Sequence, residues 1–307
     1  MEIILQVLLL ALGFGLLVKG ADWFVDGASG IAAKLHIPQL VIGLTIVAMG
    51  TSAPEAAVSI SAALKGSADI TIGNIVGSNI LNILIILGLA SVIVPIKVAN
   101  STIRVDAPYM IAISAMLLLL GWDGTVTMTD GLVLVALFIG YLGYMLYMAK
   151  HGSDVGENIK EMKLWKALVY TAVGLVIIIL GADVAVNAAT ALARIMGMSE
   201  RFIGLTIVAL GTSLPELVTS VTAARKGNAD IAIGNIVGSN IFNILFVVGL
   251  SALIVPVPFA LNFRVDTIVA IAAGVLLLGC VFSREKLERW HGVVMLLAYG
   301  VYLAYLL

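Results

Sequence analysis

The chain has 307 residues, of which 61% are hydrophobic and 11% charged, and its formal net charge is −1. Soluble domains carry about 25% charged residues, so this composition excludes an ordinary soluble protein. Together with a mean hydropathy of +1.14, it predicts an integral membrane protein. We expect membrane lipids to surround it, and we expect no nucleic-acid partner, no obligatory protein partner and no cofactor.

The apolar segments predict a series of membrane-spanning helices. A helix crosses the bilayer with about 20 apolar residues, and the segments lack the alternation of a membrane β-barrel. The first segment, Ile3–Val18, follows Glu2 and no basic stretch, so we expect a retained helix and no signal peptide, with an amphipathic continuation over Asp22–Ile37. The predicted spans are 3–18, 40–64, 69–94, 110–120, 131–148, 167–188, 203–224, 230–255, 265–282 and 292–306.

A repeat divides these segments into two halves. Gly50–Asn82 recurs as Gly211–Asn243, 161 residues later. When Leu40–Leu89 is aligned with Arg201–Leu250, 34 of 50 positions are identical. Because each half holds five of the ten predicted spans, an odd number, the second half must enter the membrane from the opposite side. The sequence therefore predicts an all-α membrane protein with two inverted-topology repeats of five helices.

Basic residues indicate the orientation of the chain. The predicted parts are a first repeat at 1–149, a polar linker at 150–166 and a second repeat at 167–307. The loops on the linker's side of the membrane hold thirteen of the seventeen Lys and Arg residues. By the positive-inside rule, we expect a multi-pass protein of the cell membrane with a cytoplasmic linker and both termini outside.

Polar side chains recur at four-residue spacing in both copies of the repeated stretch. On a helix this spacing places them on one face. The set consists of Thr51, Glu55, Ser59, Asn74, Ser78 and Asn82 in the first copy, and Thr212, Glu216, Ser220, Asn235, Ser239 and Asn243 in the second. The two glutamates carry the functional prediction, because an ionised carboxylate within a membrane segment is costly and has no cationic partner in its own segment.

Prolines predict a break in the helix beside each glutamate. Pro54 and Pro215 have no N–H for the carbonyls of Gly50 and Gly211. Interrupted helices at matching positions of two repeats are typical of a transporter's substrate site. The Gly-x-x-x-Gly patterns at 73–77 and 234–238 favour close helix packing. Packing alone can also explain prolines and such patterns, and Ser and Thr in membrane helices often bond to their own backbone.

The donor atoms indicate the class of ligand. Carboxylates, hydroxyls, amides and freed carbonyls are hard oxygen donors, and no thiolate or imidazole stands among them. This set suits sodium or calcium and argues against zinc or copper. Two carboxylates would balance the charge of one divalent ion.

The motifs GTSAPE with GNIVGSNILN, and GTSLPE with GNIVGSNIFN, closely resemble the two repeats of the cation/calcium exchanger superfamily, in its prokaryotic sodium/calcium exchanger branch. The resemblance implies ten helices, with the second, third, seventh and eighth around the ion sites. It also implies exchange of about three sodium ions for one calcium ion by alternating access, with the first and sixth helices as a moving gate. The ligands it implies are Thr51, Ser52, Glu55, Ser78, Asn82, Thr212, Ser213, Glu216, Ser239, Asn243 and the carbonyls of Ala48 and Ala209.

Asparagine at position 243 bears on potassium. Potassium-dependent members of the superfamily have an aspartate where this chain has Asn243, so the resemblance implies a potassium-independent exchanger. The alternatives are a proton-coupled exchanger of calcium or another divalent cation, an ion channel that uses the same oxygen atoms, and an intramembrane enzyme. An enzyme is disfavoured because Ser52 and Ser213 have no His or Lys in their segments to act as a general base.

Overall fold

The protein is helical throughout most of the residues that the structure, a computed structural model, describes, namely 2–151, 162–198 and 209–306. In the first half the α-helices are α1 (Glu2–Leu35), α2 (Gln39–Ile42), α3 (Ala48–Thr51), α4 (Ala53–Leu64), α5 (Asp69–Leu81), α6 (Gly88–Ile93), α7 (Ala107–Leu120) and α8 (Met128–His151). In the second half they are α9 (Leu164–Ile195), α10 (Ala209–Thr212), α11 (Leu214–Arg225), α12 (Ala229–Phe242), α13 (Gly249–Ile254), α14 (Leu261–Val281) and α15 (Arg289–Leu306). Most of the predicted linker, 152–161, lies outside the described residues.

Seven helices in the described ranges are long and apolar enough to cross a membrane, and the bent pair α2 to α4 would make an eighth. The predicted run 3–18 and its amphipathic continuation form the single helix α1 of 34 residues. Of the ten predicted spans, α15 does not reach the hydropathy of the seven, because Arg289 and His291 occupy its first turn. The first part of the predicted span 203–224 lies outside the described residues.

Four helical segments have the wider π-helical turn, which the sequence analysis did not predict. They are π1 (Gly43–Val47), π2 (Asn82–Leu87), π3 (Thr102–Asp106) and π4 (Asn243–Val248). Two of them begin at the motif asparagines, Asn82 and Asn243. Since π-turns inside α-helices often coincide with functional sites, their position draws attention to the same residues as the repeat.

Four short strands connect the two halves, and the all-helical prediction did not include them. β1 (Ile96–Lys97) pairs antiparallel with β4 (Lys286–Leu287), and β2 (Thr125–Val126) pairs antiparallel with β3 (Val257–Pro258). Pro95 ends the helical run before β1. The extended backbone that follows needs hydrogen-bond partners, and it finds them in the connector of the other half.

Glycines join α1 and α9 into a close antiparallel pair. Gly13, Gly20 and Gly27 of α1 recur every seven residues and meet α9 in reverse order. A Cβ added at Gly20 would lie 2.8 Å from the backbone nitrogen of Ile178. Only glycine leaves room for such an approach of two backbones, so these two long helices form one packed unit.

The two helical runs that contain the motif asparagines lie at the centre of the molecule. The most apolar 18-residue windows of Asp69–Ile93 and Ala229–Ile254 are 78% and 83% buried. The corresponding windows of the other five long helices are at most 39% buried, in Thr102–Leu120. Polar side chains on the two central runs are therefore held away from lipid.

Candidate functional site

Both helices that carry the glutamates are interrupted where the prolines predicted it. α3 ends at Thr51 and α4 begins at Ala53 after a bend of 50°. Ser52 at the break has φ −83° and ψ 7°, and Ser213, between α10 and α11, has φ −91° and ψ 7°. The prolines stand in the first turn of the second helix of each pair, where a missing N–H costs little.

Each glutamate accepts a hydrogen bond from the serine at the break in the other repeat. Ser52 Oγ donates to Glu216 Oε1 at 2.8 Å, and Ser213 Oγ donates to Glu55 Oε1 at 3.3 Å. Both glutamates are 1% exposed. The hydroxyls of Thr212 and Thr51 also lie near the carboxylates of Glu55 and Glu216, respectively. The breaks thus bring the two carboxylates into one polar centre, although 161 residues separate them in the chain.

Asn82 and Asn243 extend this centre, and two further asparagines orient them. Asn82 Nδ2 donates to Asn240 Oδ1 at 2.9 Å, and Asn243 Nδ2 donates to Asn79 Oδ1 at 3.1 Å. Because their NH₂ groups are used in this way, the carbonyl oxygens of Asn82 and Asn243 remain available as acceptors.

The sequence analysis did not identify Asn79 and Asn240. Each also donates from Nδ2 to the other's backbone carbonyl at 3.2 Å, so the pair locks α5 to α12. A signal was present, since each stands three residues before a candidate ligand in both copies of the motif.

The outer part of the predicted polar faces holds the helices together. Asn74 Nδ2 donates to Ser59 Oγ at 2.9 Å and to the Glu55 carbonyl at 3.2 Å. In the second repeat Asn235 Nδ2 donates to Ser220 Oγ at 2.9 Å. Asn235 also accepts from Thr51 Oγ1 at 2.9 Å, across the two repeats. These predicted residues do converge, and their printed bonds are to protein atoms that brace the centre.

The Ala48 carbonyl lies at the same centre. It accepts from Ser239 Oγ at 3.3 Å and from Thr51 Oγ1 at 3.3 Å. Ser78, the counterpart of Ser239, is 4% exposed. Ala209 begins α10, and the backbone that leads to it lies outside the described residues.

Glycines allow the close packing predicted for the second repeat. A Cβ at Gly234 would lie 3.0 Å from the Leu40 carbonyl oxygen, and one at Gly238 would lie 2.5 Å from the Leu44 carbonyl oxygen. In the first repeat no described atom lies within 4 Å of a Cβ placed at Gly77. The segment that the 161-residue repeat would place there, 204–208, is not among the described residues.

Four buried oxygens of this centre have no hydrogen-bond partner among the described residues. They are Oε2 of Glu55, Oε2 of Glu216, Oδ1 of Asn82 and Oδ1 of Asn243. An unsatisfied buried polar atom costs about 1–3 kcal/mol, and more when it is charged. Two carboxylate and two amide oxygens suit a hard cation. The described residues contain no group of three or more His, Cys, Asp and Glu side chains, which disfavours a transition-metal centre.

Comparisons with known proteins agree with this chemistry. The family model described as sodium/calcium exchanger protein matches residues 5–147 and 166–307. The sodium/calcium exchanger MaX1 of Methanosarcina acetivorans is 33% identical over 346 residues, which cover 99% of each chain. The inner membrane protein YrbG of Escherichia coli (strain K12) is 36% identical over 318 residues, which cover 99% of this chain and 97% of YrbG. A solved structure of the sodium-calcium exchanger NCX_Mj, soaked with zero Na⁺ and Ca²⁺, superposes with a TM-score of 0.87 at 34% identity and covers 99% of this chain and 100% of that one.

Proposed function

Because the chain belongs to the sodium/calcium exchanger family, we propose that it is a secondary antiporter that exchanges sodium for calcium across the membrane by alternating access. The observation that carries the proposal is the set of four unpartnered oxygens at the centre. Two come from carboxylates and two from amides, and each repeat supplies half of them. Calcium prefers six to eight oxygen ligands, which the hydroxyls of the broken helices and the Ala48 carbonyl can complete.

The charge of the centre supports an electrogenic exchange. With Glu55 and Glu216 ionised, one bound calcium ion leaves the centre neutral. About three sodium ions would leave a surplus positive charge, and this is the stoichiometry we propose. The sodium-bearing step therefore carries charge across the membrane.

Asparagines at both symmetry-related positions support independence from potassium. Asn82 and Asn243 contribute neutral oxygens, so the centre holds two carboxylates and no third. A third carboxylate would favour an additional cation. We therefore propose that potassium neither drives the exchange nor is carried by it.

For the whole chain we propose ten spans in two inverted repeats. The two spans added to the eight that the described helices provide are α15 and the segment that leads through α10 to α11. The distribution of Lys and Arg supports a cytoplasmic linker and external termini. α1 and α9, which pack as one unit through their glycines, correspond to the first and sixth helices and would form the moving gate.

The proposal is tested by radioactive calcium uptake into liposomes that contain the purified protein. Vesicles are loaded with sodium, potassium or choline and diluted into choline medium with labelled calcium. Uptake should occur from sodium-loaded vesicles alone, at the same rate with or without potassium on either side. Uptake driven by a pH gradient without sodium would identify a proton-coupled exchanger. A current far above the turnover of a carrier would identify a channel.

A further inference from the structure

A second cluster of buried oxygens lies away from the central site, in a cavity between α7 and α8. The cavity has a volume of about 250 Å³, and its lining includes Asp106, Tyr109, Tyr141 and Tyr144. Asp106 is 1% exposed and Tyr141 is 5% exposed. A carboxylate this deeply buried requires a compensating partner.

No such partner is present among the described residues. Both carboxylate oxygens of Asp106, the hydroxyl of Tyr141 and the hydroxyl of Thr102 are buried without a hydrogen-bond partner there. Thr102 precedes Asp106 by four residues in π3, and its side chain lies close to the carboxylate. Arg104, the nearest cationic residue in sequence, is exposed and forms no ion pair in the described part of the chain. Four oxygens, one of them charged in the ionised carboxylate, thus face a space that the protein does not fill.

The second repeat contains the same two residue types in a different arrangement. Asp266 and Tyr302 correspond to Asp106 and Tyr141, and there Tyr302 Oη donates to Asp266 Oδ1 at 2.9 Å. The carboxylate and the tyrosine of the second repeat therefore satisfy each other, whereas those of the first repeat do not.

An additional residue explains the difference. Asp106 follows Pro95 by 11 residues, but Asp266 follows Pro256 by 10. The extra residue is accommodated in π3, at the position where α14 of the second repeat is a regular α-helix. A π-turn holds more residues than an α-turn, so it changes the direction in which the next side chains point. This change turns Asp106 toward the cavity and leaves the tyrosine hydroxyl unbonded.

The chemistry of the cluster selects a singly charged ion. One carboxylate balances one positive charge, and a divalent ion would remain uncompensated in a buried site. Hydroxyl and carboxylate oxygens suit the hard alkali cations, and tyrosine rings attract cations to their faces. The cavity has room for an ion with several waters, since a water occupies about 30 Å³.

We propose that this cavity binds one monovalent alkali cation, sodium or potassium, between the carboxylate of Asp106 and the hydroxyls of Thr102 and Tyr141. This site is distinct from the central one, and it belongs to the first repeat alone. Its occupant satisfies oxygens that Tyr302 satisfies internally in the second repeat.

The test measures cation binding by purified protein in which the central carboxylates are absent. In the Glu55→Gln, Glu216→Gln background, equilibrium binding of radioactive sodium and of the potassium analogue rubidium is counted per chain at constant ionic strength, with choline as the balancing ion. We expect saturable binding of sodium or rubidium in this background. Adding Asp106→Asn should remove that binding, and the matched variant Asp266→Asn should retain it.

A milder variant guards against misfolding. Tyr141→Phe keeps the ring and removes one ligand, so the same ion should bind with a severalfold higher dissociation constant. Thermal unfolding of each variant, followed with and without sodium or potassium, should show ion-dependent stabilisation that Asp106→Asn lacks. Equal binding in the Asp106→Asn and Asp266→Asn variants would overturn the proposal. So would stabilisation by protons or by organic ammonium ions with no response to sodium or potassium.

Because the background lacks both central carboxylates, this result does not depend on the proposed exchange. A failure of sodium-driven calcium uptake in the wild type would leave the cavity's binding measurement unaffected. The two proposals can therefore fail separately.

Discussion

Charge compensation at single residues is the basis of the first prediction. Glu55→Gln and Glu216→Gln each remove half of the negative charge at the centre but keep the side-chain shape and one acceptor oxygen for the serine of the other repeat. Removing one partner of a buried charge pair costs about 3–5 kcal/mol, so calcium transport should fall by roughly 100-fold or more, since about 1.4 kcal/mol corresponds to a factor of ten. The measurement is initial calcium uptake in sodium-loaded liposomes.

The control for these variants is Glu285→Gln, which changes an exposed carboxylate and should leave transport unchanged. Both central variants should fold, because neutralising a buried carboxylate relieves a desolvation cost. Transport near the wild-type rate in either folded variant would mean that the central site is elsewhere.

The asparagines that orient the ligands give a second prediction. Asn240→Ala removes the acceptor of Asn82 Nδ2 and the donor to the Asn79 carbonyl. Leaving such a group unbonded costs about 1–3 kcal/mol, so the Asn82 amide should rotate or lose order. We expect the KM for calcium to rise roughly tenfold with a smaller change in maximal rate, since about 1.4 kcal/mol corresponds to a factor of ten. Asn79→Ala should act in the same way through Asn243.

Asn240→Asp separates orientation from packing in this test. It keeps an acceptor for Asn82 Nδ2, so it should bring the KM for calcium closer to the wild-type value than Asn240→Ala does. The matched control is Asn100→Ala, an asparagine whose amide bonds to the exposed Glu285 carboxylate instead. If Asn240→Ala leaves the KM unchanged, the asparagine pair serves packing alone.

At the scale of helices, α1 and α9 should move as one unit relative to the core. Lys226, which follows α11, forms ion pairs with Asp22 at 3.2 Å and Asp26 at 2.7 Å of α1. These groups are partly exposed, so the pairs contribute little to stability and can break during transport. A covalent link at the same place could not break.

Cross-linking tests this motion in a chain whose one cysteine, Cys280, is replaced by alanine. The pair Asp26→Cys and Lys226→Cys, joined by a short bismaleimide, should lose calcium uptake and recover it when the linker is cleavable and is cut. The control pair is Trp23→Cys and Tyr170→Cys, whose wild-type rings stack with centroids 5.7 Å apart between α1 and α9. Joined by the same reagent, the control pair should keep transporting. Loss of uptake in both joined pairs would contradict a rigid unit of α1 and α9.

Elements that depend on local chemistry were predictable from the sequence, and those that depend on neighbouring helices were not. The breaks at Ser52 and Ser213 follow from the prolines, and four-residue spacing brought the polar faces together. The π-turns were missed because each depends on how a neighbouring helix constrains the run that contains it. The α1–α9 contact was also missed, although Gly13, Gly20 and Gly27 recur at seven-residue intervals that suit a helix interface.

For the whole molecule, the proposed charge balance predicts a voltage response. Each charge that crosses the membrane is worth about 2.3 kcal/mol per 100 mV. Sodium-driven calcium uptake should therefore change with a potassium and valinomycin diffusion potential. Calcium/calcium exchange, which moves a neutral centre, should not change. An equal response of the two modes would refute this assignment of charge.

The bonds between Ser52 and Glu216 and between Ser213 and Glu55 also bear on how the chain is made and how it arose. During synthesis, Glu55 enters the membrane 158 residues before its hydrogen-bond donor exists, so the first half must wait in an incomplete state for the second. The strand pairs β1–β4 and β2–β3 likewise close only when both halves are present. An ancestral polypeptide of half this length could have completed the same bonds only by pairing head to tail with a second copy of itself, inserted the other way up.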